Sequence, residues 1–174
     1  MKSRTEHILA VMHVLCWVAA IGLLIKAGAI LVSYAVSIAN PEGARNLYQG
    51  LNLFALRQYD FWHYTSTVSF MIAIIILQAV IAFLVIKVLA KIKLEHPFKM
   101  EVSLLLERIG YITLGTWVIA VLHNAHTKWL WKRVAGMEGE LVSVEFIFLA
   151  GVVFVISQVF KKGVALQTEN ELTV

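Results

Sequence analysis

The chain has 174 residues, of which 60% are hydrophobic and 15% charged, with a mean hydropathy of +0.79 and a formal net charge of +4. That balance excludes an ordinary soluble domain, in which about half the residues are apolar and about a quarter charged. Nor does the positive charge mark a nucleic-acid surface, because the basic residues fall between long apolar runs, as in a polytopic membrane protein.

The first run, residues 8–36, carries one charge, Lys26, and one cysteine, Cys16. A single cysteine excludes an internal disulfide and reads as a packed apolar thiol. About 20 helical residues cross a bilayer, so this run spans with residues to spare. Ala19, Gly22, Lys26, Ala29 and Ser33 recur at steps of 3 and 4, which puts them on one face. Small residues let membrane helices approach closely, so this face is expected to meet neighbouring helices and to hold Lys26 in a protein interior. Lys2, Arg4 and the stretch Ser37-Ile38-Ala39 resemble the ends of a signal peptide. The run between them is about twice the usual signal length, so it reads as a retained anchor.

Asn40-Pro41 signals a helix start, and Leu47, Leu51 and Phe54 at i, i+4 and i+7 predict a short helix along the membrane surface. The second span covers residues 61–90, with Trp62 and Tyr64 at one end and Lys87, Lys91 and Lys93 at the other. Its one strongly polar residue, Gln78, is expected to hydrogen-bond a neighbouring helix. Beyond it, His96-Pro97-Phe98 breaks the helix before an amphipathic charged stretch. The third apolar run, residues 109–122, is too short alone and is extended to a span over 104–127. The fourth span, 141–160, contains Glu145 and stops at Lys161-Lys162, leaving a soluble tail over 161–174.

Lys2, Arg4, Lys87, Lys91, Lys93, Lys99, Arg108, Lys161 and Lys162 lie on one side of these spans. Arg45, Arg57, Lys128, Lys132 and Arg133 lie on the other. Nine against five predicts both termini in the cytoplasm. The expected fold is therefore all-α: a single membrane domain, a four-transmembrane-helix bundle.

Ionisable residues at membrane depth are costly, so each invites a role. Lys26 and Glu145 are expected at similar depth, where an intramembrane ion pair reduces the desolvation cost of both. His123 and His126 share a helical face, and His63 lies near the same boundary. Imidazoles so placed suit a zinc ion or a haem. No carboxylate or cysteine completes a familiar ligand spacing, so the primary expectation is no metal and no cofactor. His7, His13 and His96 are scattered. No phosphate loop, Gly-x-Ser-x-Gly, His-Glu-x-x-His or Cys-x-x-Cys occurs, which leaves no catalytic set. Neither proline falls within a span, which argues against a transporter built on broken helices. The tail is too short to fold alone, so it packs on the preceding loop or awaits a partner.

Two segments carry a resemblance. One is His96-Pro97-Phe98 followed by Glu101, Leu105-Leu106 and Ile109-Gly110-Tyr111. The other is Lys162-Gly163 through Leu166-Gln167 to Glu169-Asn170-Glu171-Leu172-Thr173-Val174. Together they resemble the bacterial membrane family called domain of unknown function 2975, mainly over residues 96–174. The resemblance implies a multi-pass protein of the bacterial cytoplasmic membrane with no assigned activity and no catalytic residues. It also implies a cytoplasmic partner, a small Cro-like helix-turn-helix regulator; the chain itself, whose charges fall between apolar runs, is expected to make no direct nucleic-acid contact. Pro97, Phe98, Gly163, Leu166, Gln167, Glu169, Asn170 and Leu172 are the expected partner-binding residues. The expected function is non-enzymatic regulation or sensing through this loop and tail; the alternative is a haem- or metal-binding redox protein using His63, His123 and His126.

Overall fold

The computed structural model describes residues 4–92, 98–137 and 139–172, with side chains as far as residue 169. Five α-helices follow one another: α1 (Arg4–Ala39), α2 (Phe54–Tyr59), α3 (Phe61–Lys91), α4 (Met100–Trp131) and α5 (Phe146–Leu172). A 3-10 turn, Pro41–Arg45, separates α1 from α2, and no strand occurs among the described residues. Four helices, α1, α3, α4 and α5, are long and apolar enough to cross a membrane, which points to a membrane protein.

Two compact units emerge, each assembled from separate stretches of chain. A tail unit comprises Met1–Ile21, Ala79–Gly115 and Glu145–Val174, and a loop unit comprises Gly22–Gln78 and Thr116–Val144.

In the loop unit, Ile30, Leu47, Leu53, Leu56, Tyr64 and Leu130 belong to one core. Tyr64 is wholly buried, and its hydroxyl lies 2.6 Å from Ser37 Oγ. Ser37 spends its own proton on the Tyr34 carbonyl at 2.7 Å, so Tyr64 is the donor. Tyr34 in turn lies 3.0 Å from Thr65 Oγ1, so two hydroxyl pairs join α1 to α3. Asn40 caps the 3-10 turn by accepting from the Glu42 N–H at 3.1 Å. Gly43 is pressed against α1: a Cβ there would stand 3.2 Å from Ser37 Cα and N.

The surface helix expected through Leu47, Leu51 and Phe54 is not formed. Leu47 and Leu51 flank a tight turn in which Leu47 N–H donates to the Leu51 carbonyl, with Gln49 and Gly50 at positive φ. The left-handed backbone breaks the helical repeat, and α2 starts only at Phe54. The apolar spacing instead reflects burial of Leu47 in the core.

The buried stripe of α1 also differs from the expected one. Ala20, Ala27, Ile30 and Ser37 are buried, whereas Ala19 and Gly22 are exposed. The packed face is one step round, because Ile30 and Tyr34 supply more contact and hydrogen bonding than the small residues do. No atom comes within 4 Å of a Cβ built on Gly22. Of α1's apolar window only 6% is buried.

In the tail unit, Leu84, Val88, Val102 and Ile109 form the core, with Leu105, Leu106 and Phe160 against it. Buried Ser103 donates to the Ser157 carbonyl at 2.9 Å, tying α4 to α5. Lys161 pairs with Glu107 at 2.9 Å and Lys91 with Glu101. The helix that contains the third expected span, 104–127, is longer than that span at both ends, reaching Met100 and Trp131. The fourth starts later than residue 141, because residues 139–144 are held in non-helical form, and its helix runs past Lys161-Lys162 to Leu172. The lysines end the apolar sequence but not the helix, because lysine is itself a good helix former.

Candidate functional site

The loop unit gathers the histidines. Asp60 accepts the His63 backbone N–H at 2.7 Å, capping α3 at its first turn. His63 Nδ1 then lies 3.2 Å from His126 Nε2, and Trp129 stacks on His126 at 12° between ring planes. His123 stands apart from that pair. It is 2% exposed and packs edge-on to Phe70. The Nδ1 atoms of His123 and His126 and the hydroxyl of Thr127 are buried without a hydrogen-bond partner among the described residues.

The three histidines therefore fall into a pair and a neighbour. Among the described residues, no group of three or more His, Cys, Asp or Glu side chains is placed to hold a metal ion. Two imidazoles on opposite sides of one iron would need their nitrogens about 4 Å apart, twice an ordinary bond of about 2 Å. The 3.2 Å between His63 and His126 suits a hydrogen bond in which one ring N–H donates to the other ring's lone pair.

Lys26 lines a cavity of about 480 Å³ with Ile30, Tyr48, Met71, Trp131 and Glu140. A smaller one of about 210 Å³ shares Lys26, Met71 and Glu140 and adds Gln78 and His123. The Lys26 ammonium stands 5.7 Å above the Tyr48 ring. Glu145, which belongs to the tail unit, is exposed just before α5, its carbonyl accepting from the Phe148 N–H at 3.2 Å. The cavity was not legible in the sequence, because Tyr48 and Glu140 arrive on irregular segments without periodicity.

In the tail unit the two specific sequence segments meet. The Phe98 ring covers Gly163: a Cβ there would fall 2.8 Å from Phe98 Cε1 and Cγ and would overlap Cδ1. Phe98 also packs edge-on to Phe160 at 5.4 Å. Of the other expected partner-binding residues, Leu166 is 50% exposed, and Gln167 and Glu169 lie on the same helix. Asn170 and Leu172 belong to the helical backbone, and Pro97 and His96 fall outside the described residues.

Residues 40–174 match the model of the family described as protein of unknown function DUF2975. The chain belongs to that family. The match reaches back through α3 to the end of α1, well beyond the two segments that first suggested it. No curated protein and no solved structure gives a match. Membership in DUF2975 therefore ties the Phe98–Gly163 contact and the histidine pair to one shared sequence region without attaching an activity to either.

Proposed function

We propose that this DUF2975 chain is a non-enzymatic regulatory or sensing protein of a bacterial cytoplasmic membrane. Both termini face the cytoplasm, and the exposed end of α5 engages a soluble partner. The partner is a small helix-turn-helix regulator held at the membrane. One observation carries the reading: Phe98, from the loop segment, lies on Gly163, from the tail segment. The two most specific stretches of sequence thus build a single surface. Beyond Lys162 the helix runs about 15 Å by helical rise, with Leu166 exposed on it. The excess of basic residues on this side supports its cytoplasmic placement.

Mass spectrometry of proteins that co-purify with the full-length chain, against a version ending at Lys162, tests the proposal. A small DNA-binding protein present with the first and lost with the second supports it. Identical sets of proteins would reject the tail as a docking element.

A further inference from the structure

We propose that the cavity beside Lys26 binds a small zwitterion: an ammonium and an acid group a few bonds apart on an apolar body. This inference concerns the loop unit alone and does not depend on the tail. At about 480 Å³ the larger cavity falls in the ordinary range for small-molecule sites. Lys26 and Glu140 line both it and the adjoining smaller cavity, yet they form no ion pair with each other among the described residues.

Glu140 stands on an irregular segment beside the cavity. Two residues beyond Glu140, Val142 is fixed by Asn124 through both its N–H and its carbonyl. The ammonium rests over Tyr48, an attraction weaker than a direct ion pair in a desolvated site. A simple anion drawn to Lys26 would face Glu140, and a simple cation would face Lys26. A ligand with both charges satisfies both. Ile30, Met71, Trp131 and Met137 supply apolar walls, and the two thioethers adapt to different side-chain shapes. A free amino acid with an apolar side chain has this chemistry, and so does a lipid headgroup that carries an amine and a phosphate.

The test uses the full-length protein in a maltoside detergent, which carries no charge. Calorimetric titration with L-phenylalanine is compared with hydrocinnamate, which lacks the amine, and phenethylamine, which lacks the acid. Saturable binding of phenylalanine, about tenfold or more tighter than either analogue and weakened about tenfold or more by Lys26→Met and by Glu140→Gln, is the expected result. Glu140 is exposed, so its variant removes a charge without opening the core. Native mass spectrometry with phosphatidylethanolamine against phosphatidylglycerol separates the two sources. Retention of the first lipid alone, dependent on both residues, assigns the site to a headgroup and supports the proposal. Binding of none of these probes, or binding indifferent to both substitutions, overturns it. So does failure of Lys26→Met to fold together with recovery by Glu145→Gln, because Lys26 would then be a structural ion-pair partner.

Discussion

Asn124 grips both backbone groups of Val142. Its side-chain oxygen accepts the Val142 N–H at 2.9 Å, and its side-chain nitrogen donates to the Val142 carbonyl at 2.7 Å. One amide thus does for an isolated segment what a neighbouring strand does in a sheet. It keeps residues 139–144 out of the helix that the apolar run from Leu141 would otherwise start.

Asn124→Leu removes both hydrogen bonds and is expected to cost about 2 kcal/mol, at roughly 1 kcal/mol each. Asn124→Asp keeps an acceptor and loses the donor, leaving the Val142 carbonyl unpaired. Thermal unfolding in detergent should rank wild type above both variants. An Asp variant as stable as wild type would contradict the two-point grip.

Tyr64→Phe keeps the buried ring and removes the hydroxyl that donates to Ser37. The expected loss is about 1 kcal/mol, with the helical content unchanged. Adding Ser37→Ala should then cost less than it does alone, because the pair is already broken. Strict additivity of the two substitutions would show that the 2.6 Å contact carries no energy.

Gly163→Ala places a methyl group where the Phe98 ring lies. Displacing the ring is expected to cost about 1–3 kcal/mol, despite alanine's better helix propensity. In a Phe98→Ala background the same substitution should be neutral or stabilising. A double-mutant cycle by chemical unfolding measures the coupling, and a coupling near zero would remove the contact from consideration.

Because His63 and His126 meet each other at 3.2 Å and no third ligand is placed to join them among the described residues, purified protein from cells supplied with iron and zinc is expected to be colourless. Elemental analysis should find well under one metal atom per chain. A visible haem band, or stoichiometric metal lost on His126→Ala, would reverse this expectation.

The membrane helices were readable in the sequence because their cause is local. A run of apolar residues must satisfy its backbone internally in lipid, and a helix does so. Their ends were less readable. Residues just before α5 are bonded to Asn124, which is remote in sequence, and charge in a tail marks the end of an apolar run but not the end of a helix. Leu47 and Leu51 mimicked a helical repeat but flank a left-handed turn, whose conformation is set by the loop as a whole. For the candidate site, spacing indicated that His126 and His63 share one end. That His123 turns instead to Phe70 is a matter of packing, which spacing does not encode. Lys26 was conspicuous by its charge, but the cavity around it is made in large part by residues 48–51, 137 and 139–142, where no periodic pattern exists to read.

Glycine costs about 1 kcal/mol relative to alanine within a helix, so Gly163 is a weak joint in α5, just past the lysine pair. The Phe98 ring acts as a splint across that joint. Hydrogen exchange should therefore proceed in two steps along one continuous helix: slow through residue 162, and faster as a block from 164 onward. Lifting the ring would release the final two turns without loosening the apolar part of the helix. The order of residues 163–172 would then be governed by a side chain more than sixty positions earlier in the chain.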